Sequence, residues 1–243
     1  MPDDHSRDHA ASAADDAWTL VDGVLSRAGV DLWGVAANSP PLPLAPLLPV
    51  AISLAARIDS RALDRLEQGD PRAYRAEYRR LNQALDEASA ALAAALRAAG
   101  AAADPRPATV YDEKPPSGDW LAAGVFAHKT AATRAGLGWI GKTALLVSPE
   151  LGPRVRLTTV FTDLPLTPAI PVDESSCGNC TVCIAACPVH AGRDVTWQVG
   201  MSREELFDAA ACERHMYRAD PTGHGTCGLC VAACPFGRPG RAV

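Results

Sequence analysis

The chain has 243 residues, of which 48% are hydrophobic and 21% are charged, and its formal net charge is −5. The length suffices for a buried core and suggests a domain of ordinary size together with a smaller one. The acidic balance argues against a general nucleic-acid binder, because such proteins owe their affinity to neutralised phosphates. No stretch approaches the roughly 18 apolar residues of a membrane span, and the N-terminus lacks the apolar core of a secretory signal. We therefore expect a cytoplasmic protein without membrane contact.

The N-terminal part of the chain predicts a short helix and one or two strands after a polar leader. Residues 1–16 are polar and acidic and predict a disordered leader. Residues 17–29 predict a helix and residues 30–37 a strand. The proline-rich stretch 39–49 predicts a surface connection, after which VAISLAARI begins a second buried strand or a helix.

A long helix follows. Asp70 is suited to the N-cap, Pro71 to the first helical position, and Gly100 to the C-terminal end. Apolar side chains between these ends recur at alternating steps of four and three residues, which places them on one face. We predict a helix packed on the core, without a role in function.

The next segment predicts a strand over 108–111, a helix over 119–134, and strands over 144–148 and 154–161. A turn over 149–153 is expected to pair the last two strands. The order of the elements predicts an α/β (α+β) domain over residues 17–170, followed by a smaller domain over residues 171–243.

The eight cysteines all lie in the smaller domain, and their spacing predicts iron–sulfur ligation. The first four are spaced C-x2-C-x2-C-x3-C and are followed by a proline, which is the bacterial ferredoxin pattern for [4Fe–4S] clusters. A second group, C-x2-C-x3-C, is also followed by a proline, and one further cysteine upstream completes a set of four. The ligands are Cys177, Cys180, Cys183, Cys187, Cys212, Cys227, Cys230 and Cys234.

In this pattern the fourth cysteine of a run reaches the other cluster. One cluster is therefore assigned to Cys177, Cys180, Cys183 and Cys234, and the other to Cys187, Cys212, Cys227 and Cys230. Zinc bound by four thiolates is the alternative, although it does not explain two successive groups that each end in Cys-Pro.

The sequence GLGWIGKT, residues 136–143, matches both the dinucleotide and the Walker A phosphate-binding patterns. Both patterns require a strand before the loop and a helix after it, whereas here a predicted helix precedes and a predicted strand follows. Two other interpretations stay open, a turn that approaches a large flat ligand or the cluster domain, and a purely structural turn with a buried Trp139. The candidate cofactor contacts are Gly136, Gly138, Trp139, Gly141 and Lys142.

Three segments together resemble the epoxyqueuosine reductase family: RAGLGWIGK (134–142), VFTDLPL (160–166), and the two cysteine groups with Cys212. The resemblance covers residues 17–236. It implies a nitroreductase-like α/β domain that holds cobalamin, and a ferredoxin-like domain whose two [4Fe–4S] clusters feed electrons to the cobalt. The implied chemistry is reductive removal of an epoxide oxygen from a modified tRNA base. Reductive dehalogenases are similar in general plan.

The chain departs from the family where a proton donor is expected. The family's Asp-Ser-x-Pro segment and the Glu-Arg pair after it correspond here to AAGVFAHK, with Ala122 in place of the aspartate. His128 is therefore the candidate proton donor, since loss of oxygen needs a proton in reach; a structural role on a helix is the alternative. Lys129 is either a contact to a large cofactor or a solvated charge.

A second departure weakens tRNA as the substrate. The chain ends nine residues after Cys234, where longer members continue with helical repeats, and its net charge is −5. A basic patch is predicted from Arg134, Lys142, Arg154 and Arg156, either to bind a phosphate or carboxylate or as a solvated strand face.

These observations favour an oxidoreductase that passes electrons from two clusters to cobalamin and on to a small or nucleoside-like substrate, with a redox protein as electron donor. The alternatives are an electron carrier or maturation partner without its own substrate, and a nucleotide-dependent protein that uses the glycine loop. Because a bare two-cluster ferredoxin is much shorter than 243 residues, the large additional domain favours the enzyme.

Overall fold

The computed structural model describes residues 5–43, 45–109, 126–219 and 226–238. The helices in these ranges are α1 (His5–Arg27), α2 (Ser60–Glu67), α3 (Pro71–Ala98), α4 (His128–Arg134), α5 (Val182–Ala185), α6 (Arg203–Leu206), α7 (Ala209–Ala219) and α8 (Leu229–Ala233). The strands are β1 (Leu32–Ala37), β2 (Val50–Arg57), β3 (Ala103–Arg106), β4 (Trp139–Ile140), β5 (Leu146–Val147) and β6 (Val155–Thr162). The fold is a mixture of helices and antiparallel sheet, which confirms the predicted class in its coarse form.

The main sheet has the strand order β1-β2-β6-β3, with every neighbouring pair antiparallel. In its register Ile52 of β2 lies between Val35 of β1 and Val160 of β6. All of β2 except its last residue is buried, as the apolar run VAISLAAR requires of an inner strand. The element after the proline-rich stretch, for which the sequence allows a strand or a helix, is therefore a strand.

Helix α3 covers one face of this sheet and packs against β6 and β3. Its predicted ends are confirmed, because the Asp70 side chain accepts a hydrogen bond from the Arg72 backbone N–H, Pro71 is the first helical residue, and Gly100 follows the end with a φ of +89°. Leu85 and Leu92 on its inner face are completely buried. The helix therefore serves the core, as predicted.

The strand pairing differs from the prediction in two places. Strand β6 does not pair with β5 but lies between β2 and β3, while β5 pairs with β4. The reason is visible in β6 itself, where Thr158, Val160 and Phe161 are completely buried, as expected only of a central strand. Of the strand predicted over 108–111, residues 110 and 111 lie outside the described residues, and residues 108 and 109 are not in a strand. The strand of this region is β3, whose Pro105 is tolerated because β3 is at the edge of the sheet.

Two helices also differ. Helix α1 starts at His5, within the stretch predicted to be a disordered leader, and its first turns are rich in alanine without glycine or proline. Of the helix predicted over 119–134, the described part is α4, which starts at His128; residues 119–125, including Ala122, lie outside the described residues.

The remainder, which we call the cysteine segment (residues 171–238), consists, in its described ranges 171–219 and 226–238, of short helices joined by turns and irregular chain. It packs on the rest of the chain through α8, which contacts α2. None of the helices in the described part of the chain combines the length and apolar composition needed to cross a membrane.

Candidate metal centre

All eight cysteines lie in the described part of the chain and are free thiols. Cys234 is buried and the other seven are half-buried. Free thiols that are concentrated in one small segment are typical of metal ligation rather than of a disulfide framework.

Four of the thiols form one group, which we call the first thiol group: Cys177, Cys180, Cys183 and Cys234. Burial, and after it the neighbouring thiols of Cys234, Cys177 and Cys180, raise the pKa of Cys183 to about 11. Burial likewise raises the pKa of Cys234, and the charges of Cys177 and Cys180 add to this rise. The chain thus brings its last cysteine back to the first three.

The other four form the second thiol group: Cys187, Cys212, Cys227 and Cys230. Burial, then the thiols of Cys187 and Cys227, raise the pKa of Cys212 to about 11. Burial raises the pKa of Cys230 to about 12, with contributions from Cys212, Cys227, Cys183 and Cys187. Cys183 of the first thiol group also contributes to the pKa of Cys230, so the two groups lie next to one another. The assignment of four thiols to each cluster stays a prediction from the spacing.

The thiols of each group do not converge on one point. Among the described residues, no three Cys, His, Asp or Glu side chains are grouped closely enough to hold a single metal ion. A tetrahedral zinc site with Zn–S bonds of about 2.3 Å brings its sulfurs to about 3.8 Å from one another. In a cluster each thiolate binds a separate iron, so that its ligands lie further apart. Eight thiolates are the number and type of donor that two [4Fe–4S] clusters require.

Backbone and indole N–H groups point at the thiols. The Ala191 backbone N–H donates to Cys187 Sγ at 3.4 Å, and the Trp139 indole Nε1–H donates to Cys177 Sγ at 3.4 Å. Such hydrogen bonds favour the thiolate and tune a cluster bound to it. One thiol in each group has a donor of this kind.

The second group is closed on one side by α3. Gly228, the residue before α8, has a φ of +77°, and a Cβ placed there would lie 2.4 Å from the Tyr74 ring. Glycine at this position therefore lets the loop between Cys227 and Cys230 lie directly on the buried aromatic side chain of α3.

The glycine loop packs against protein and not against an open cradle. A Cβ at Gly138 would lie 2.1 Å from the Val147 carbonyl oxygen, and one at Gly141 would lie 2.8 Å from Val147 Cγ2 and 3.6 Å from Cys177 Sγ. A Cβ at Gly136 would lie 3.1 Å from the Ile170 carbonyl oxygen. The three glycines are thus needed for close contact with β5 and the cysteine segment.

Trp139 and Lys142 of this loop are likewise occupied. Trp139 is buried, with its ring edge-on to Phe236 at 5.1 Å, and the Lys142 Nζ donates to Asp194 Oδ1 at 2.6 Å. The cofactor contacts predicted at Gly136, Gly138, Trp139, Gly141 and Lys142 are not supported by this geometry. The loop lies against β5 and the cysteine segment and its Trp139 is buried, which agrees both with a turn that approaches the cluster domain and with a purely structural turn.

The phosphate-binding interpretation is not supported either. Helix α4 ends at Arg134, before the loop, and β5 follows it, so no helix begins at the loop to present its N-terminus to a phosphate.

The predicted basic patch is dispersed, because each of its four cations has its own partner. The partners are Asp173 for Arg134, Asp194 for Lys142, the backbone carbonyls of Ala232, Cys234 and Phe236 for Arg154, and Asn82, Thr109 and the Tyr78 ring for Arg156. Arg134 connects α4 to the cysteine segment and Lys142 connects the glycine loop to it. Arg154 connects the start of β6 to the same segment. The patch predicted to hold a phosphate or carboxylate is instead a set of internal contacts.

Comparison with known proteins relates the chain to one family over part of its length. No family model matches it. An epoxyqueuosine reductase of Bacillus anthracis is 40% identical over 68 residues, which are 28% of this chain and 18% of that protein. One of Synechococcus sp. is 47% identical over 66 residues, 27% of this chain and 20% of that protein. Over these stretches the chain is similar to epoxyqueuosine reductases.

Solved structures of this family and of the dehalogenases share the fold of the chain. A catabolic reductive dehalogenase superposes with a TM-score of 0.67 and 20% identity, over 90% of this chain and 31% of that chain. An epoxyqueuosine reductase with an epoxyqueuosine-modified tRNA stem loop superposes with a TM-score of 0.55 and 19% identity, over 91% of this chain and 66% of that chain. The matched relatives are thus considerably longer than the stretch they share with this chain.

His128, the proton donor predicted from the resemblance to epoxyqueuosine reductases, is half-buried, and both of its ring nitrogens have a protein partner. Its Nε2 lies 2.9 Å from the Pro107 carbonyl oxygen and its Nδ1 lies 2.9 Å from Thr159 Oγ1. Since a carbonyl only accepts, Nε2 carries the proton and Nδ1 accepts from the threonine hydroxyl. Burial lowers the pKa of His128 to about 4. A neutral imidazole with both nitrogens bonded is a structural group, so the catalytic role predicted for His128 is not supported.

The stability of the protein is expected to depend on pH through His128. The folded pKa of about 4 lies below the unfolded value of about 6.5, so the unfolded state binds the proton first and stability is lost as pH falls through this window. We compare the free energy of unfolding of the wild type with that of His128→Asn. As the pH is lowered from 7 to 4, we expect the wild type to lose about 3 kcal/mol more than the variant. Urea unfolding at both values, with an NMR titration of the imidazole, measures this; a pKa near 6.5 in the folded protein contradicts it.

Lys129 is half-buried, and its ammonium group is bonded to the backbone. Its Nζ donates to the Ala144 carbonyl oxygen at 2.6 Å, and burial lowers its pKa to about 8. Ala144 itself has a φ of +58°, so the lysine stabilises a turn of the glycine loop that an L-residue rarely adopts. The predicted solvated charge is wrong, and the cofactor contact stays a prediction.

Proposed function

We propose that the chain is an iron–sulfur oxidoreductase in which two [4Fe–4S] clusters, one on each thiol group, carry single electrons to an acceptor held by the α/β part. The observation that carries the proposal is the division of the eight thiols into two groups of four, with Cys187 and Cys234 exchanged between the two runs. This exchange is typical of two-cluster ferredoxins. The free thiols require a reducing compartment, and we therefore place the chain in the cytoplasm.

For the acceptor we propose cobalamin, by similarity. One structure with the same fold, at a TM-score of 0.67, is that of a reductive dehalogenase for which B12-dependent dehalogenation is described. Protein atoms occupy the space beside the three glycines predicted to contact the cofactor. We therefore propose that most contacts to a corrin come from other residues of the α/β part.

For the substrate we propose a small or nucleoside-like molecule, with a redox protein as electron donor. An epoxyqueuosine reductase of the same fold was solved with a tRNA stem loop. In this chain the net charge of −5 and the dispersal of its predicted basic patch work against binding of a polyanion.

A second function, that of an electron carrier without its own substrate, is favoured by one observation. His128 and the predicted cofactor contacts are all bonded to protein. A carrier needs only the clusters and a docking partner, and the enclosed groups would then serve the packing of the cysteine segment.

Anaerobic purification followed by iron, sulfide and corrin analysis tests the proposal. We expect a brown protein with about eight iron and eight sulfide atoms per chain. The reduced protein is then mixed with cob(II)alamin, and a corrin spectrum that changes only when the clusters are present supports the enzyme. The double variant Cys180→Ser/Cys187→Ser is the matched control without clusters. An unchanged corrin spectrum with full iron favours the carrier, and a colourless protein that contains zinc overturns both.

A further inference from the structure

Arg154 joins the sheet to the last cysteine of the first thiol group. It directly precedes β6, and its guanidinium donates to the backbone carbonyls of Cys234 at 2.5 Å and Ala232 at 3.2 Å, and also to that of Phe236. The residue is only 7% exposed. A side chain from the α/β part thus holds the turn in which Cys234 lies.

The positive charge of Arg154 has no direct counter-charge. Within the described part of the chain its hydrogen-bond acceptors are neutral carbonyls, and the ion pairs do not include it. Glu67 lies in the vicinity but pairs with Arg238. Since a buried charge is costly unless an opposite charge lies near it, the site calls for an anionic group beside Cys234. A cubane bound by four thiolates is such a group.

The backbone around Arg154 is closely packed. Gly152 has a φ of +60°, and a Cβ there would lie 2.0 Å from the Phe236 carbonyl oxygen. Gly237 has a φ of +70°, and a Cβ there would lie 2.1 Å from the Leu151 carbonyl carbon. Because the backbone at residues 151–152 lies directly against the backbone at residues 236–237, the segment that carries Arg154 is held close to the turn that carries Cys234.

We propose that Arg154 is a positioning residue for the cluster on the first thiol group: it fixes the turn that carries Cys234, and its charge raises the reduction potential of that cluster alone. The inference rests on the proposed iron–sulfur function. One-electron reduction adds a negative charge to the cluster, and a cation held beside a ligand stabilises the reduced form more than the oxidised form.

A redox titration of the full chain, loaded with both clusters and followed by EPR, tests this proposal. Cys180→Ser identifies the signal that belongs to the first thiol group. In Arg154→Gln, which keeps N–H donors but not the charge, we expect the ratio of reduced to oxidised first cluster at a fixed solution potential to fall about tenfold, while the second cluster stays within about twofold. Arg154→Lys, which keeps the charge, is expected to stay within about twofold of the wild type for both clusters.

Arg238→Gln is the matched control. Arg238 donates to the same Ala232 carbonyl, but it is paired with Glu67 and is partly exposed, so its loss is expected to leave both potentials within about twofold. If Arg154→Gln loses about half of the iron while the second cluster remains, the positioning role is supported directly.

The inference is overturned if the two clusters shift together in Arg154→Gln, if neither shifts, or if Arg154→Lys falls as far as Arg154→Gln. Loss of all iron or of the fold in both variants also overturns it, because Arg154 would then be a general folding residue. A wild-type chain without iron would instead refute the proposed function, which the metal analysis shows before any titration.

Discussion

Replacing Cys180 and Cys187 together by serine is expected to remove all iron from the protein, whereas either replacement alone removes about half, from about eight to about four atoms per chain. The two residues lie in one short run but in different thiol groups. Each substitution therefore breaks a different cluster. Iron and sulfide analysis of anaerobic protein measures the result.

The double variant Cys180→Ser/Cys234→Ser provides the matched comparison. These residues are 54 positions apart in the numbering but lie in the same thiol group, so this double variant is expected to lose no more iron than Cys180→Ser alone. A division by sequence runs predicts the opposite ranking of the two double variants. Circular dichroism excludes general unfolding, and equal iron loss in both double variants would falsify the division of the thiols.

The ligands of the candidate metal centre can be proposed from the sequence for a chemical reason. Cluster ligation demands thiolates at fixed steps along one turn, so that spacing alone indicates which cysteine leaves its run. The same holds for α3, since Asp70, Pro71 and Gly100 act on their immediate neighbours. Ligand spacing and helix capping both depend on residues close together in the chain, so both can be predicted from a short stretch of sequence.

Contacts between distant parts of the chain were harder to predict. The apolar sequence of β6 indicates a strand, but its place between β2 and β3 depends on pairing with residues more than 50 positions away. Likewise, Arg154 looks like a surface cation until the turn of Cys234 is folded onto it. The only local signal is an arginine two residues after Gly152, and this pattern does not distinguish a buried cation from a cation on a solvated strand.

The glycine loop shows how a pattern can mislead when its context is missing. Phosphate-binding loops and this loop both need backbone without side chains, in the first case to approach a phosphate and here to approach β5 and Cys177. His128 is similar, since a histidine next to a helix start suits both a proton donor and a buried bond to Pro107. In both cases the residue type suits either role, and the residues that pack against it in the folded protein decide between them.

Gly138→Ala is expected to be among the most destabilising single substitutions in the chain. The residue has a φ of +152°, and a Cβ would lie 2.1 Å from the Val147 carbonyl oxygen and 2.9 Å from Ser148 Cα. Both neighbours are backbone atoms of or next to β5, so the clash cannot be relieved by a side-chain rotation. Overpacking of about 1–3 kcal/mol and backbone strain of similar size add to about 4 kcal/mol, which corresponds to a fall of about 10 °C in the melting temperature.

Gly100→Ala separates the two causes. Gly100 also has a positive φ, +89°, but a Cβ there meets nothing within 4 Å, so only backbone strain of about 1 kcal/mol is expected, or about 3 °C. Thermal unfolding of both variants under anaerobic conditions gives the comparison, and equal shifts would show that β5 yields to the added methyl group. Trp139 follows Gly138 and donates to Cys177, so displacement of the loop is expected to lengthen that hydrogen bond. The steric change in Gly138→Ala is therefore expected to weaken retention of the cluster on the first thiol group. Gly100→Ala is expected to leave that cluster in place.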